Sequence, residues 1–299
     1  MTEKHDHRSL IRDLPVELKA RLTRRSDAKG LLHLSGYVFV LLMCSTAILL
    51  HIPYWPLFML PQGILLVFLF TLSHECTHKT PFASDWINET VGHICAVLIA
   101  LPFVWFRYYH LAHHKFTNDP ARDPELENGP RPTTWAGWLN YLSGLPYWIG
   151  MATVLWRNAF GQITSPYLPD RRHADMRREA RVILAIYTGA LLSLIWSPVL
   201  LWLWVLPALV GQPVLRLYLL AEHGLCPPVA NMLENSRTTF TNRVVRFLAW
   251  NMPYHAEHHA YPNVPFHQLP RFHAVTQDHL ESTSNGYSAF TADYLKSLK

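Results

Sequence analysis

Between Leu31 and His74 the chain has no Asp, Glu, Lys or Arg, and between Val182 and Leu215 it again has none. Over the whole sequence only 16% of residues are charged, while 50% are apolar. One membrane span takes about 20 apolar residues. Each uncharged stretch therefore reads as a pair of spans, which excludes an ordinary soluble domain. Cysteine is scarce too. Cys44, Cys76, Cys95 and Cys226 form no motif and mostly lie in or beside apolar segments, so free buried thiols are expected. No cysteine cluster is available for an iron–sulfur centre, and the chain has no room for a fused haem domain. Internal repeats and low-complexity segments are also missing.

What is present organises itself around those gaps. Spans are predicted at about 31–51, 54–73, 180–197 and 199–222, the third of them short. His51-Ile52-Pro53-Tyr54-Trp55-Pro56 breaks the first stretch, and Ser197-Pro198 breaks the second. Neither turn carries Lys or Arg; the N-terminal, central and C-terminal regions carry all of them but Arg216. Positive charge stays on the cytosolic side, so both termini are expected there and both hairpins point outward. Residues 1–30 read as a basic cytosolic tail with a short amphipathic helix from Pro15 to Leu22. The segments at about 91–106 and 135–160 are apolar but are read as re-entrant or interfacial rather than crossing. The expected fold is thus all-α: four spans in two hairpins, with residues 31–299 forming one membrane-embedded domain under a cytosolic helical cap. The net charge of +5 sits beside apolar spans, so the partner is an anionic membrane face and not nucleic acid.

Three histidine clusters stand at or near the ends of these apolar stretches: His74-Glu75-Cys76-Thr77-His78, His110-Leu111-Ala112-His113-His114 and His255-Ala256-Glu257-His258-His259. They hold eight of the eighteen histidines. Residues three or four apart share one helix face, so each cluster offers two or three imidazoles in one direction. Neutral imidazole is the commonest metal-ligating side chain. A structural zinc site takes about four ligands, so eight imidazoles suit two metal ions sharing one site. Imidazole accepts zinc, copper, iron and nickel alike, and the ligand set alone does not choose among them. Ligating histidines donate their outer N–H to a carboxylate or carbonyl. The candidates for that role are Glu75, Asp119, Asp123, Glu222 and Glu257, with Asn251 one turn ahead of His255.

HxxxH, then HxxHH about thirty residues on, then HxxHH late in the chain resembles the membrane fatty acid desaturase and hydroxylase family. The resemblance runs from about Leu31 to His273 and includes Ala221-Glu222-His223-Gly224 and Asn251 to His259. It implies two non-haem iron ions at the membrane surface, dioxygen as oxidant, and attack on an unactivated C–H bond. It also adds His223 as a ninth ligand, which gives four imidazoles to one metal and five to the other. The expected reaction is introduction of a double bond into a fatty acyl chain or related lipid. The alternative is hydroxylation or oxygenation of a hydrocarbon or small non-acyl substrate by the same family. Electrons would come from a separate carrier, a ferredoxin or a small b-type cytochrome, steered by the basic face. A bacterial inner membrane is the expected location.

A distant rival reads His74-Glu75-Cys76-Thr77-His78 as the HExxH of a membrane zinc metalloprotease. That reading leaves the other two clusters unexplained.

Overall fold

The computed structural model describes residues 6–127 and 129–299, so residues 1–5 of the expected tail lie outside it. Among the described residues the elements are helical but for one two-stranded sheet. In chain order they are α1 (His7–Asp13), α2 (Val16–Leu22), α3 (Asp27–Leu49), α4 (Met59–His78), α5 (Asp85–Ile99), α6 (Phe103–Phe116), α7 (Trp135–Leu142) and α8 (Leu145–Phe160). Next come α9 (His173–Ser193), α10 (Leu206–His223), α11 (Met232–Asn235), α12 (Arg243–Leu248), α13 (His255–Ala260), α14 (Leu269–Thr276) and α15 (Tyr287–Ser297). The pairing joins β1 (Thr238–Thr239) to β2 (Thr283–Ser284) in parallel.

Among the described residues three helical stretches are long and apolar enough to cross a membrane: Val16–Leu49, Trp55–His78 and Leu201–His223. They cover the first, second and fourth expected spans. The second runs on to His78, so the first histidine cluster is the end of the span itself. The third expected span is different. Its helix, α9, begins at His173 with a charged half containing Arg177, Arg178 and Arg181, and ends at Ser193. What remains apolar is too short to meet the same test.

The segment expected at 91–106 is a corner. α5 and α6 meet at 99°. Ala100 sits at φ +59, in the left-handed region that stops α5, and Pro102 precedes α6. Glu179 of α9 then accepts the free N–H groups of Phe103 and Val104, each at 2.9 Å. A carboxylate at a helix N-terminus satisfies orphan donors and opposes the dipole. The segment expected at 135–160 is likewise two helices, parted at Gly144 (φ +72), where any Cβ would strike Gln212 of α10.

α4 and α10 form the centre. A Cβ on Gly63 would come within 1.9 Å of the Pro207 carbonyl oxygen, and one on Gly211 within 2.3 Å of the Gly63 backbone. Only glycine permits this approach, as in small-residue contacts between membrane helices. His74 lies 11 residues beyond Gly63 and His223 lies 12 beyond Gly211. At 1.5 Å per residue both stand about 17 Å along their helices from the same contact. The outward faces stay apolar: Leu32, Phe39, Leu42 and Met43 on α3, Ile149 and Trp156 on α8, and Leu191 on α9 are all exposed. Exposed apolar surface of that extent suits contact with lipid. α1 and α2 do not trail as a tail, because Leu14 and Leu22 are buried with Val264, Leu269 and Phe272.

Candidate metal centre

Four helices deliver the histidines. α4 ends on His74 and His78, and Lys79 at φ +60 turns the chain away behind them. α6 carries His110, His113 and His114, α10 ends on His223, and α13 carries His255, His258 and His259. Eight of these side chains are buried and His78 is half-buried.

The ring nitrogens fall into two groups. One atom from each of His74, His78, His110, His114 and His258 lies within 4.8 Å of the others. His113, His223 and His259 form the second group on the same criterion. His255 joins it through Nε2, which is 2.9 Å from Nε2 of His223. The remaining close contacts are of one kind. Nε2 of His78 is 2.9 Å from that of His110, His114 is 3.2 Å from His258, and His113 is 3.1 Å from His223. Two nitrogens bound side by side to one cation at about 2.1 Å, near a right angle, would stand about 3 Å apart.

Proton bookkeeping strengthens the fit. Nδ1 of His113 faces a carboxylate oxygen of Asp123 at 2.9 Å, and Nδ1 of His223 faces the Asn235 carbonyl at 3.3 Å. Both acceptors lack a proton to give, so each Nδ1 carries the N–H and each Nε2 is left as a lone pair. Those lone pairs point at each other. A cation between them satisfies both. Further buried ring nitrogens without a hydrogen-bond partner include both of His74 and Nε2 of His259. Burial, and then neighbouring histidines, hold His255, His258 and His259 well below the ordinary imidazole range. Neutral imidazole is the form that ligates.

The outer partners sort clearly. Asp123 is fully buried beside His113 and also accepts the N–H groups of Asn118 and Glu125. Burial alone would raise its carboxyl; the hydrogen bonds it accepts, that from His113 foremost, outweigh this and hold it below the usual range. Glu222 lies 3.3 Å from Nδ1 of His255. Glu75 accepts from Thr80 and from the N–H of Phe266, and its other oxygen is 3.5 Å from Nδ1 of His258. The other three candidates are placed elsewhere. Asp119 turns outward to Arg122 and the N–H of Ala121. Glu257 accepts from Thr238 and His273, bracing α13 against β1 and α14. Asn251 takes a left-handed conformation (φ +59) ahead of α13 and donates to the Phe266 carbonyl.

Two partners were not singled out from sequence. Thr117 donates to the His113 carbonyl at 2.7 Å, so its oxygen can accept from Nδ1 of His259 at 3.2 Å. Its place one turn after His113 was a usable signal. The Asn235 carbonyl had none, because main-chain acceptors are invisible in a residue pattern.

Residues 31–291 match the family model described as fatty acid desaturase. Among curated proteins the chain is similar to a Delta(12) fatty acid desaturase of Mortierella isabellina, 29% identical over 122 residues, 38% of this chain and 30% of the relative. It is similar to an sn-1 oleoyl-lipid 12-desaturase of Anabaena variabilis, 28% identical over 141 residues, 44% of this chain and 36% of the relative. A longer match, to an sn-1 oleoyl-lipid 12-desaturase of Arthrospira platensis, is 25% identical and covers 72% of this chain and 67% of that protein. The matched stretch thus spans about a third of the first two relatives.

Proposed function

Because the chain belongs to the fatty acid desaturase family, we propose that it is an oxygen-dependent di-iron membrane oxidase that introduces a double bond into a fatty acyl chain. The observation that carries this reading is the convergence of nine imidazoles into two neighbouring groups with lone pairs facing inward. His74, His78, His110, His114 and His258 would hold one iron, and His113, His223, His255 and His259 the other. Bound there, the irons would supply oxidation of an unactivated C–H bond by dioxygen. The chain's own residues do the positioning. Asp123 and the Asn235 carbonyl fix which nitrogens of His113 and His223 face inward. Thr117 does the same for His259, while Glu222 and Glu75 stand 3.3 and 3.5 Å from Nδ1 of His255 and His258 without hydrogen-bonding them.

The remaining architecture follows as part of the proposal. Residues 31–299 form one membrane domain, α9 with the turn after it supplies the fourth span, and both termini face the cytosol of a bacterial cell. The α5–α6 corner re-enters without crossing, which keeps all three clusters on one side. Two electrons arrive from a separate carrier. One relative, from a Nostoc strain, is named as a ferredoxin-type omega-3 desaturase, and a ferredoxin is the carrier favoured here. The metalloprotease reading finds little support, since Glu75 is fully buried among Thr80, Phe266 and His258 instead of facing an open metal position.

The test is expression in a host with a defined fatty acid profile, compared with the His110→Ala variant. New double bonds that vanish in the variant support a desaturase. New alcohols would assign the hydroxylase branch of the family, and an unchanged profile with iron and donor supplied would reject both.

A further inference from the structure

One cation inside a spanning helix makes no ion pair among the described residues, although Glu222, six residues on, lies within its electrostatic reach. Arg216 lies in Leu201–His223, directly after the uncharged stretch that ends at Leu215. Its Nε and Nη2 are buried and have no hydrogen-bond partner. Its guanidinium carbon sits 4.7 Å from the ring centroid of Tyr147 and 5.8 Å from that of Tyr141. Aromatic faces replace part of the lost hydration but leave the edge of the guanidinium free. Nε and Nη2 form the parallel N–H pair with which arginine grips a carboxylate through both oxygens.

The surroundings are built for the same kind of guest. Gln212, one turn earlier, is 1% exposed, yet neither its amide oxygen nor its nitrogen has a partner. Trp148, next to Tyr147 on α8, has a buried indole N–H that is also unpartnered. Unsatisfied buried donors are costly, and ionisable groups within spans mark ligand paths. Gln212, Arg216 and His223 stand at i, i+4 and i+11 on α10, which places them on one helix face. Arg216 is seven residues from His223, about 10 Å along the axis. The free donors therefore lie on the stripe that leads to the candidate metal centre.

We propose that Arg216, with Gln212 and Trp148, forms a carboxylate-binding subsite at the seam of α10 with α7 and α8, and that it anchors the acid end of an amphiphilic substrate. A free carboxylic acid, not the ester-linked chain of a membrane lipid, is then the preferred ligand. This rests on the span assigned to Leu201–His223 and names the substrate class for the proposed oxidase. The depth of Arg216 within that span argues against a phosphate at headgroup level.

The experiment is equilibrium binding of radiolabelled palmitate to the purified full-length protein in zwitterionic nanodiscs, with unlabelled palmitate, methyl palmitate or phosphatidylglycerol as competitors. Palmitate should compete at least tenfold better than the methyl ester or the phospholipid. Arg216→Met should lose that preference, and Arg216→Lys, which keeps the charge but not the paired edge, should fall between. Equal competition by acid and ester in the native protein overturns the proposal even if a variant fails to fold. So does an Arg216→Met protein of unchanged metal content that keeps the preference, or equal competition by phosphatidylglycerol. No turnover is needed for the readout. A protein that binds acids through Arg216 but forms no alkene keeps the subsite and loses the proposed reaction, and a desaturase indifferent to the carboxylate does the reverse.

Discussion

The two histidine groups are held in different ways. In the group of four, three rings hydrogen-bond an outer partner through Nδ1: Asp123 for His113, the Asn235 carbonyl for His223 and Thr117 for His259; Nδ1 of His255 stands 3.3 Å from Glu222 without a hydrogen bond. In the group of five, Glu75 stands 3.5 Å from Nδ1 of His258 without a hydrogen bond, and both nitrogens of His74 and Nδ1 of His114 also lack partners among the described residues. Packing orients these rings instead. His74 lies 4.1 Å from His110 and 4.5 Å from His258, centroid to centroid. The first arrangement fixes tautomers as well as positions; the second fixes positions alone. Hydrogen-bonded outer partners raise ligand basicity, so the group of four should bind its metal more tightly. His78, the half-buried member of the other group, gives solvent a way in.

The largest expected effect comes from removing an inner ring. His110→Ala and His223→Ala should each lower activity by more than about 100-fold, beyond the range usual for outer partners. They should differ in metal analysis: each variant should keep close to one iron, the first in the group of four and the second in the group of five. Next is Asp123→Ala, with an expected loss of about 10–100-fold in activity or metal affinity. It should reverse the order in which a chelator strips the two sites, which timed iron release would record. Glu75→Gln should cost less, about tenfold or under, because its contact to His258 is long. Complete loss in that variant, with iron retained, would break the comparison, because Glu75 would then do more than stand near His258. Asp119→Asn should change turnover by less than about twofold, because an exposed pair such as Asp119–Arg122 is worth little.

Much of this was legible in the residues, and the reasons are specific. The clusters announce themselves because i, i+3 and i+4 spacing on a helix is a local property. Three of the four expected spans were legible because uncharged length is local too. α9 was harder to bound: its apolar run is continuous in sequence with that of the next helix, but its charged half, His173 to Arg181, is helical as well. The corner at Ala100 depends on Glu179, 75 and 76 residues away from the N–H groups it caps, and no local pattern encodes such a pairing. The same limit applies to the outer partners. Asp123 could be guessed as an acid near a cluster, but so could Asp119, and only the fold turns one inward and the other toward Arg122. A single arginine after an uncharged run, such as Arg216, reads as the end of a span; its unpartnered edge exists only in three dimensions.

The central claim, two metals held by nine imidazoles, is tested most directly by elemental analysis with Mössbauer spectroscopy on protein purified in mild detergent from iron-enriched cells. The account predicts about two irons per chain, coupled to each other and in two distinguishable environments, falling to about one in His223→Ala. About one zinc per chain with no iron, reproducible across preparations, would contradict it.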